Sequence, residues 1–287
     1  ALGINSKNNV INQECTWSAS AAAVRYTGAK NNFVDIDDKN WCISPNSLKN
    51  SINSNTAAVI STNIYGNMPN YDEIIKICKQ HKIPLIEDAA ESLGSLYNGK
   101  RAGSFGIASV FSFHRTKTIT TGEGGIILTD SKSFYEKCKF YRDQGRDVNK
   151  TYWIKELGFK YMPSNFQGAM ALTQFKRLKK IIDKKRSILN EYKRNLKEIG
   201  DLLTFNNDDN KVYNGAWATT IVIHKHKFRT SKASSFFKKN NVPFRPFFYP
   251  LSSMRAFSNK IKKDKNPISY DISNRGMTLP SNLKITN

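Results

Sequence analysis

The sequence predicts an α/β protein, with a large domain on a mostly parallel sheet over 1–172 and a smaller α+β domain over 173–287. Three observations carry this prediction. The first half alternates short, β-rich apolar runs with helical segments, a long helical pattern begins near Asn165, and the strand and helix segments after it are fewer. With 287 residues, 39% of them hydrophobic, the chain can build one large core and attach a smaller one.

Ala57-Ala58-Val59-Ile60-Ser61 reads as a buried strand. Asn70 then caps a helix running through Ile74, Ile75 and Cys78 towards His81. Ile83-Pro84-Leu85-Ile86 is the next strand, its proline tolerable near the start, and it ends at Glu87-Asp88. Such a strand–helix–strand unit implies parallel pairing with a right-handed crossover. Short strands follow at 108–113 and 125–129. From Asn165, with Ser164 or Asn165 as cap, apolar residues recur at Phe166, Met170, Phe175, Leu178, Ile182, Leu189, Tyr192 and Leu196. That spacing predicts one rod of about 50 Å connecting the two domains. A strand over 216–223, a helix near 231–240 and the segment Arg245-Pro246-Phe247-Phe248-Tyr249-Pro250 fill the smaller domain.

The formal net charge is +22, from 45 Lys and Arg against 23 Asp and Glu. A nucleic-acid or membrane-surface binder would carry such a charge. So would lysines dispersed over solvated faces. The clumps at 176–180, 184–186 and 260–265 support the second reading: apolar residues interrupt the first two at helical spacing, and no nucleic-acid-binding signature accompanies them. No nucleic-acid partner is expected. No apolar run reaches the roughly 18 residues of a membrane span. The four cysteines lie far apart with no C-x-x-C pair, which argues against a metal ribbon or disulfide framework and fits a reducing cytoplasm. The start, Ala1-Leu2-Gly3-Ile4, has neither an initiator Met nor the order of a signal peptide, so the chain is expected to begin inside a longer parent.

Two stretches can carry chemistry. Glu87-Asp88-Ala89-Ala90-Glu91 places acids at the carboxyl end of a buried strand, where open α/β sheets bind ligands. Asp88 there suits a protonated pyridine nitrogen, although taken alone the residue reads more readily as the N-cap of a following helix. In Phe111-Ser112-Phe113-His114-Arg115-Thr116-Lys117, a strand ends in a Ser and a lone Lys follows, ahead of the turn Thr120-Thr121-Gly122-Glu123-Gly124-Gly125. A buried Lys can form an imine with an aldehyde, and a Ser hydroxyl suits a phosphate. The alternatives are a surface lysine and an ordinary hairpin.

The order and spacing of Asp88, Ser112, Lys117 and Thr-Thr-Gly-Glu-Gly-Gly resemble the DegT/DnrJ/EryC1/StrS family of sugar aminotransferases. Thr16-Trp17-Ser18-Ala19-Ser20, Val34-Asp35-Ile36-Asp37, Tyr65-Gly66, Gly158-Phe159-Lys160-Tyr161, Ser164-Asn165, Gln167-Gly168-Ala169, Arg245 to Leu251 and Leu279-Pro280-Ser281 extend the match along the chain. The resemblance implies a pyridoxal-phosphate-dependent transferase of fold type I. Lys117 would hold the cofactor as a Schiff base and shuttle protons. Asp88 would pair with the pyridine nitrogen, Glu91 would lie near the ring hydroxyl, and Ser112 would bind the phosphate. Trp17 would stack on the ring, the other reading being a core aromatic. The segment from Lys160 to Asn165 would reach the cofactor of a partner subunit, which implies a homodimer. Arg245 would contact the nucleotide or form a structural salt bridge, and His114 would tune the sugar pocket.

The sequence departs from the family pattern at Asn12-Gln13-Glu14 and Met162-Pro163, and lacks the family's first stretch and final helix. Lys117 is the mark of the aminotransferase branch, since a dehydrating branch carries His there. The implied reaction moves an amino group from L-glutamate to C4 of a GDP-linked 4-keto-6-deoxy sugar for surface polysaccharide such as O-antigen. A UDP- or dTDP-linked substrate is the runner-up, and a non-catalytic basic module on the same fold is the reading from another class.

Overall fold

The computed structural model describes residues 1–224, 229–257 and 265–285. Most of the lysine clump at 260–265 therefore lies outside the described residues. The first half forms strand β1 (Asn9–Gln13), helix α1 (Ala19–Tyr26), β2 (Lys30–Val34), α2 (Pro45–Ser51), β3 (Thr56–Thr62), α3 (Tyr71–Gln80) and β4 (Leu85–Asp88). A short ribbon, β5 (Leu96–Tyr97) with β6 (Lys100–Arg101), precedes β7 (Ala108–Ser112), β8 (Gly125–Leu128) and α4 (Lys132–Arg142).

The main sheet runs in the order β2-β1-β3-β4-β7-β8; its first five strands are parallel and β8 is antiparallel to β7. Parallel strands need helices on both faces, and the side chains alternate accordingly. Val10, Ala58 and Ile60 pack towards Val24 of α1. Their neighbours Ile11 and Val59 pack on the other face, against Leu48 of α2 and Ile74 and Ile77 of α3. The Asn70 side chain accepts from the Glu73 N–H at the start of α3, as the sequence predicts.

After helices α5 (Asn165–Phe175) and α6 (Leu178–Asn195), the chain forms β9 (Leu203–Phe205), β10 (Val212–Tyr213), β11 (Thr220–Ile223), α7 (Thr230–Lys239), β12 (Arg245–Pro246), α8 (Pro267–Arg275) and β13 (Gly276–Thr278). An antiparallel sheet in the order β12-β13-β11-β9 organises this part, while β10 joins the β5–β6 ribbon. Two buried carboxylates tie the halves together. Asp35 accepts from the N–H groups of Ile268 (3.0 Å) and Ser269 (2.8 Å) and from the Ser269 hydroxyl (2.6 Å), which caps α8 from a distant segment. Glu14 accepts from the Ser252 N–H at 2.7 Å and from the Asn266 amide.

The single rod expected from Asn165 to Leu196 is instead two helices. The Arg177 N–H bonds to the Gln174 carbonyl three residues back, which tightens the last turn of α5 and ends it. Each half is held by a different part of the chain. Gln174 and Gln167 of α5 bond to the backbone of Thr120 and Glu123, whereas Ile182 of α6 lies over Gly94. No described helix is long and apolar enough to cross a membrane.

Candidate active site

The chain runs from β1 outward to β2 and then back past β1 to β3, so the topological switch lies between β1 and β3. Ligands of open parallel sheets bind at the carboxyl ends of the strands beside such a switch. Asp88 ends β4 there. One of its oxygens accepts from the Ser20 hydroxyl (2.6 Å) in the first turn of α1 and from the Thr62 hydroxyl (3.3 Å) at the end of β3. The other accepts from the Ala90 N–H at 3.1 Å. Asp88 is followed by a turn and no helix, so the helix-cap alternative falls. Glu87 points to the opposite face, where it accepts from the N–H groups of Gly103 (2.8 Å) and Phe105 (2.9 Å) and from Asn63 (2.8 Å). It holds a loop and takes no part in the site.

Lys117 lies on the loop after β7 with its side chain only 11% exposed, so the surface-lysine alternative also falls. Its ammonium donates to Glu91 Oε1 at 3.1 Å, and Glu91 is 3% exposed. Removing one member of so buried a pair strands the other, at a cost of about 3–5 kcal/mol. The other Glu91 oxygen accepts from the Tyr65 N–H at 2.9 Å. Tyr65 reaches that geometry in a left-handed conformation (φ 52°), unusual for a residue with a Cβ. Burial, opposed by the Lys117 charge and assisted by that of Asp88, holds the Glu91 carboxyl above the usual carboxylate range.

Trp217 is a site residue that sequence reasoning missed. Its ring lies 4.2 Å from the Lys117 ammonium, and its indole N–H donates to the Thr116 carbonyl at 2.8 Å, so it grips the lysine by side chain and backbone alike. Tyr65 is stacked between Trp217 and Phe248, with ring centroids at 6.1 and 5.1 Å. The signal available in the sequence was one Trp before an apolar strand, with nothing to link it to a lysine 100 residues earlier.

The remaining candidates are placed as follows. Ser112 ends β7, one strand from Asp88, and its hydroxyl accepts from the His114 N–H at 3.2 Å. The His114 ring contacts the Thr116 hydroxyl at 3.0 Å and lies 3.7 Å from Glu123. Trp17 follows β1, is 61% exposed and meets Phe248 at 6.1 Å between centroids, so the core-aromatic alternative falls. Arg245 is exposed on β12 and has no ion pair among the described residues. Asn165 starts α5, is exposed, and is not bonded to Asp88, Glu91 or Lys117. The structure therefore gathers Asp88, Glu91, Ser112 and Lys117 at one end of the sheet and leaves Asn165 on the outer surface.

This set of groups fits pyridoxal phosphate. A sheltered amine can take its aldehyde, a carboxylate bonded on both oxygens can face its pyridinium, and the hydroxyls of Ser112, Ser20 and Thr62 lie at the same sheet end. Among the described residues no cluster of His, Cys, Asp and Glu could hold a metal ion.

Comparison with known proteins gives the same answer. The chain is 35% identical over 287 residues to the GDP-perosamine synthase of Escherichia coli O157:H7, covering 100% of this chain and 77% of the relative. Over 201 residues it is 37% identical to the UDP-4-amino-4,6-dideoxy-N-acetyl-beta-L-altrosamine transaminase of Campylobacter jejuni strain 81-176, covering 67% of this chain and 52% of that one. Its fold matches that of Spr1654 from Streptococcus pneumoniae in its PLP-form, with a TM-score of 0.92 at 20% identity over 100% of this chain and 79% of that one. The model of the DegT/DnrJ/EryC1/StrS aminotransferase family matches residues 1–287, and the chain belongs to that family of pyridoxal-phosphate-dependent sugar aminotransferases.

Proposed function

We propose that the protein moves an amino group from L-glutamate to C4 of a GDP-linked 4-keto-6-deoxy sugar. The observation that carries this reading is the likeness to a GDP-perosamine synthase along the whole chain. In this reading Lys117 would hold the cofactor covalently and, once its amine is free, would act as the base that takes the proton from the substrate carbon and the acid that gives it back. Asp88 would keep the pyridine nitrogen protonated, Glu91 would hold the ring hydroxyl, Ser112 would receive the phosphate, and Trp17 would cover the ring. Pyridoxal phosphate, when bound, supplies an electron sink that makes the substrate C–H acidic. His114 and Arg245 face the sugar and the nucleotide. Residues 1–172 form the cofactor-binding part and 173–287 the smaller part, and the setting is a reducing cytoplasm.

A homodimer belongs to the same reading. Ile126, Ile127 and Leu128 of β8 and Phe166, Leu172 and Phe175 of α5 are exposed, large apolar side chains of the kind that a partner surface covers. A second copy covering this face would bring Lys160 to Asn165 towards its neighbour's cofactor. Sedimentation should give a dimer, and a monomer that still loads cofactor would overturn this part.

The likeness to the Campylobacter jejuni transaminase favours a second reading, a UDP-linked substrate. A panel of GDP-, UDP- and dTDP-linked 4-keto-6-deoxy sugars decides between them. The expected result is the highest kcat/KM on the GDP sugar, and turnover of only the UDP or dTDP sugars would overturn that choice.

A further inference from the structure

A primary amine condenses with an aldehyde only in its neutral form, because the ammonium has no free electron pair. Lys117 is held as an ammonium against Glu91 at 3.1 Å, away from bulk water. The same contact offers a way out. We propose that Glu91 is the proton acceptor that frees the Lys117 amine to capture the cofactor. The transfer breaks one N–H bond of Lys117 and forms one O–H bond on Glu91. It leaves an electron pair on the nitrogen and both groups uncharged.

Four observations support this step. The two groups are in direct hydrogen-bond contact, so no water need carry the proton. Both are sheltered, which makes a neutral pair competitive with an ion pair. Burial already disposes the Glu91 carboxyl towards its protonated form, and the negative charge of Asp88 acts in the same direction. The Tyr65 N–H, bonded to the other Glu91 oxygen, keeps the carboxyl aimed while it gains and loses the proton. The groups that face Glu91 are thus Lys117, Asp88 and Tyr65, with the buried Cys42 thiol also near enough to feel its charge. The Trp217 face beside the ammonium keeps the nitrogen in place during the transfer.

This inference rests on the reading of Lys117 as the cofactor lysine. The test therefore measures capture, without turnover. Apo-protein is mixed with pyridoxal phosphate in a stopped-flow instrument between pH 6 and 9, and the near-visible band is followed in wild type, Glu91→Gln and Glu91→His. Wild type should load at a rate nearly independent of pH. Glu91→Gln keeps the shape but cannot take a proton, so its rate at pH 7 should fall about tenfold or more and rise steadily with pH. Glu91→His can take a proton and should recover most of the rate. Equal and flat profiles for wild type and Glu91→Gln would overturn the proposal, as would equal slowing by Gln and His. If Glu91→Gln does not fold, Glu91→His decides alone, since its rate must then follow the protonation of an imidazole. A folded wild type with no band at all would instead refute the assignment of Lys117 itself.

Discussion

Lys185 on α6 gives a quantitative test of the packing beneath the site. Its ammonium donates to the carbonyl of Trp217 at 3.0 Å and to that of Ser281 at 2.7 Å, so it holds the strap that carries Trp217 to Lys117. Burial pushes its amine down from 10.5 to about 8. Between those values the unfolded chain binds more protons than the folded one, and stability rises with pH throughout that window. Below about pH 8 both states hold the proton and the full cost of burying the charge is present. The interval corresponds to about 3 kcal/mol. Lys185→Met keeps the aliphatic stem and removes the titration, while every other group titrates alike in the two proteins. Urea unfolding at pH 7.5 and 9.5 should show wild type gaining about 2 kcal/mol on the variant. Parallel stability curves would refute the buried-amine argument.

Three further outcomes are expected. Asp35→Ala leaves two N–H groups of α8 and a buried hydroxyl without their acceptor, and should lower unfolding stability in urea by about 3 kcal/mol. Gly106→Ala puts a Cβ 2.3 Å from the Leu85 carbonyl oxygen at a φ of +84°, and should cost at least about 2 kcal/mol by the same method. Asp88→Asn keeps hydrogen bonds but loses the charge that would face the pyridinium, and cofactor titration should show about 10- to 100-fold weaker binding. Unchanged affinity would remove Asp88 from that role.

Local signals made much of the fold legible. The Asn70 cap, the strand over 57–61 and the strand ending at Asp88 each rest on neighbouring residues, and the structure has them at nearly those positions. The break at Lys176-Arg177 was invisible because the apolar spacing continues across it, while the groups that hold α5 and α6 come from 94 and 120–123. The site divides in the same way. Asp88 and Ser112 announce themselves at strand ends, and Lys117 on the loop that follows. Ser20, Thr62 and Trp217, which hold them, do not, because each meets its partner only after the sheet has formed. The cap proposed for Asp88 and the core position proposed for Trp17 failed for a related reason: both presume a neighbour that the fold does not supply. Asp35 caps a helix that lies more than 230 residues away in sequence, which no local pattern can reveal.

The most direct test of the central claim is the near-visible absorbance of the protein with pyridoxal phosphate, before and after L-glutamate, in wild type and Lys117→Ala. A band that forms in wild type, shifts on adding L-glutamate and is missing in the variant is the predicted result. A folded wild-type dimer that gives no band, or a Lys117→Ala variant that gives the same band, would contradict it.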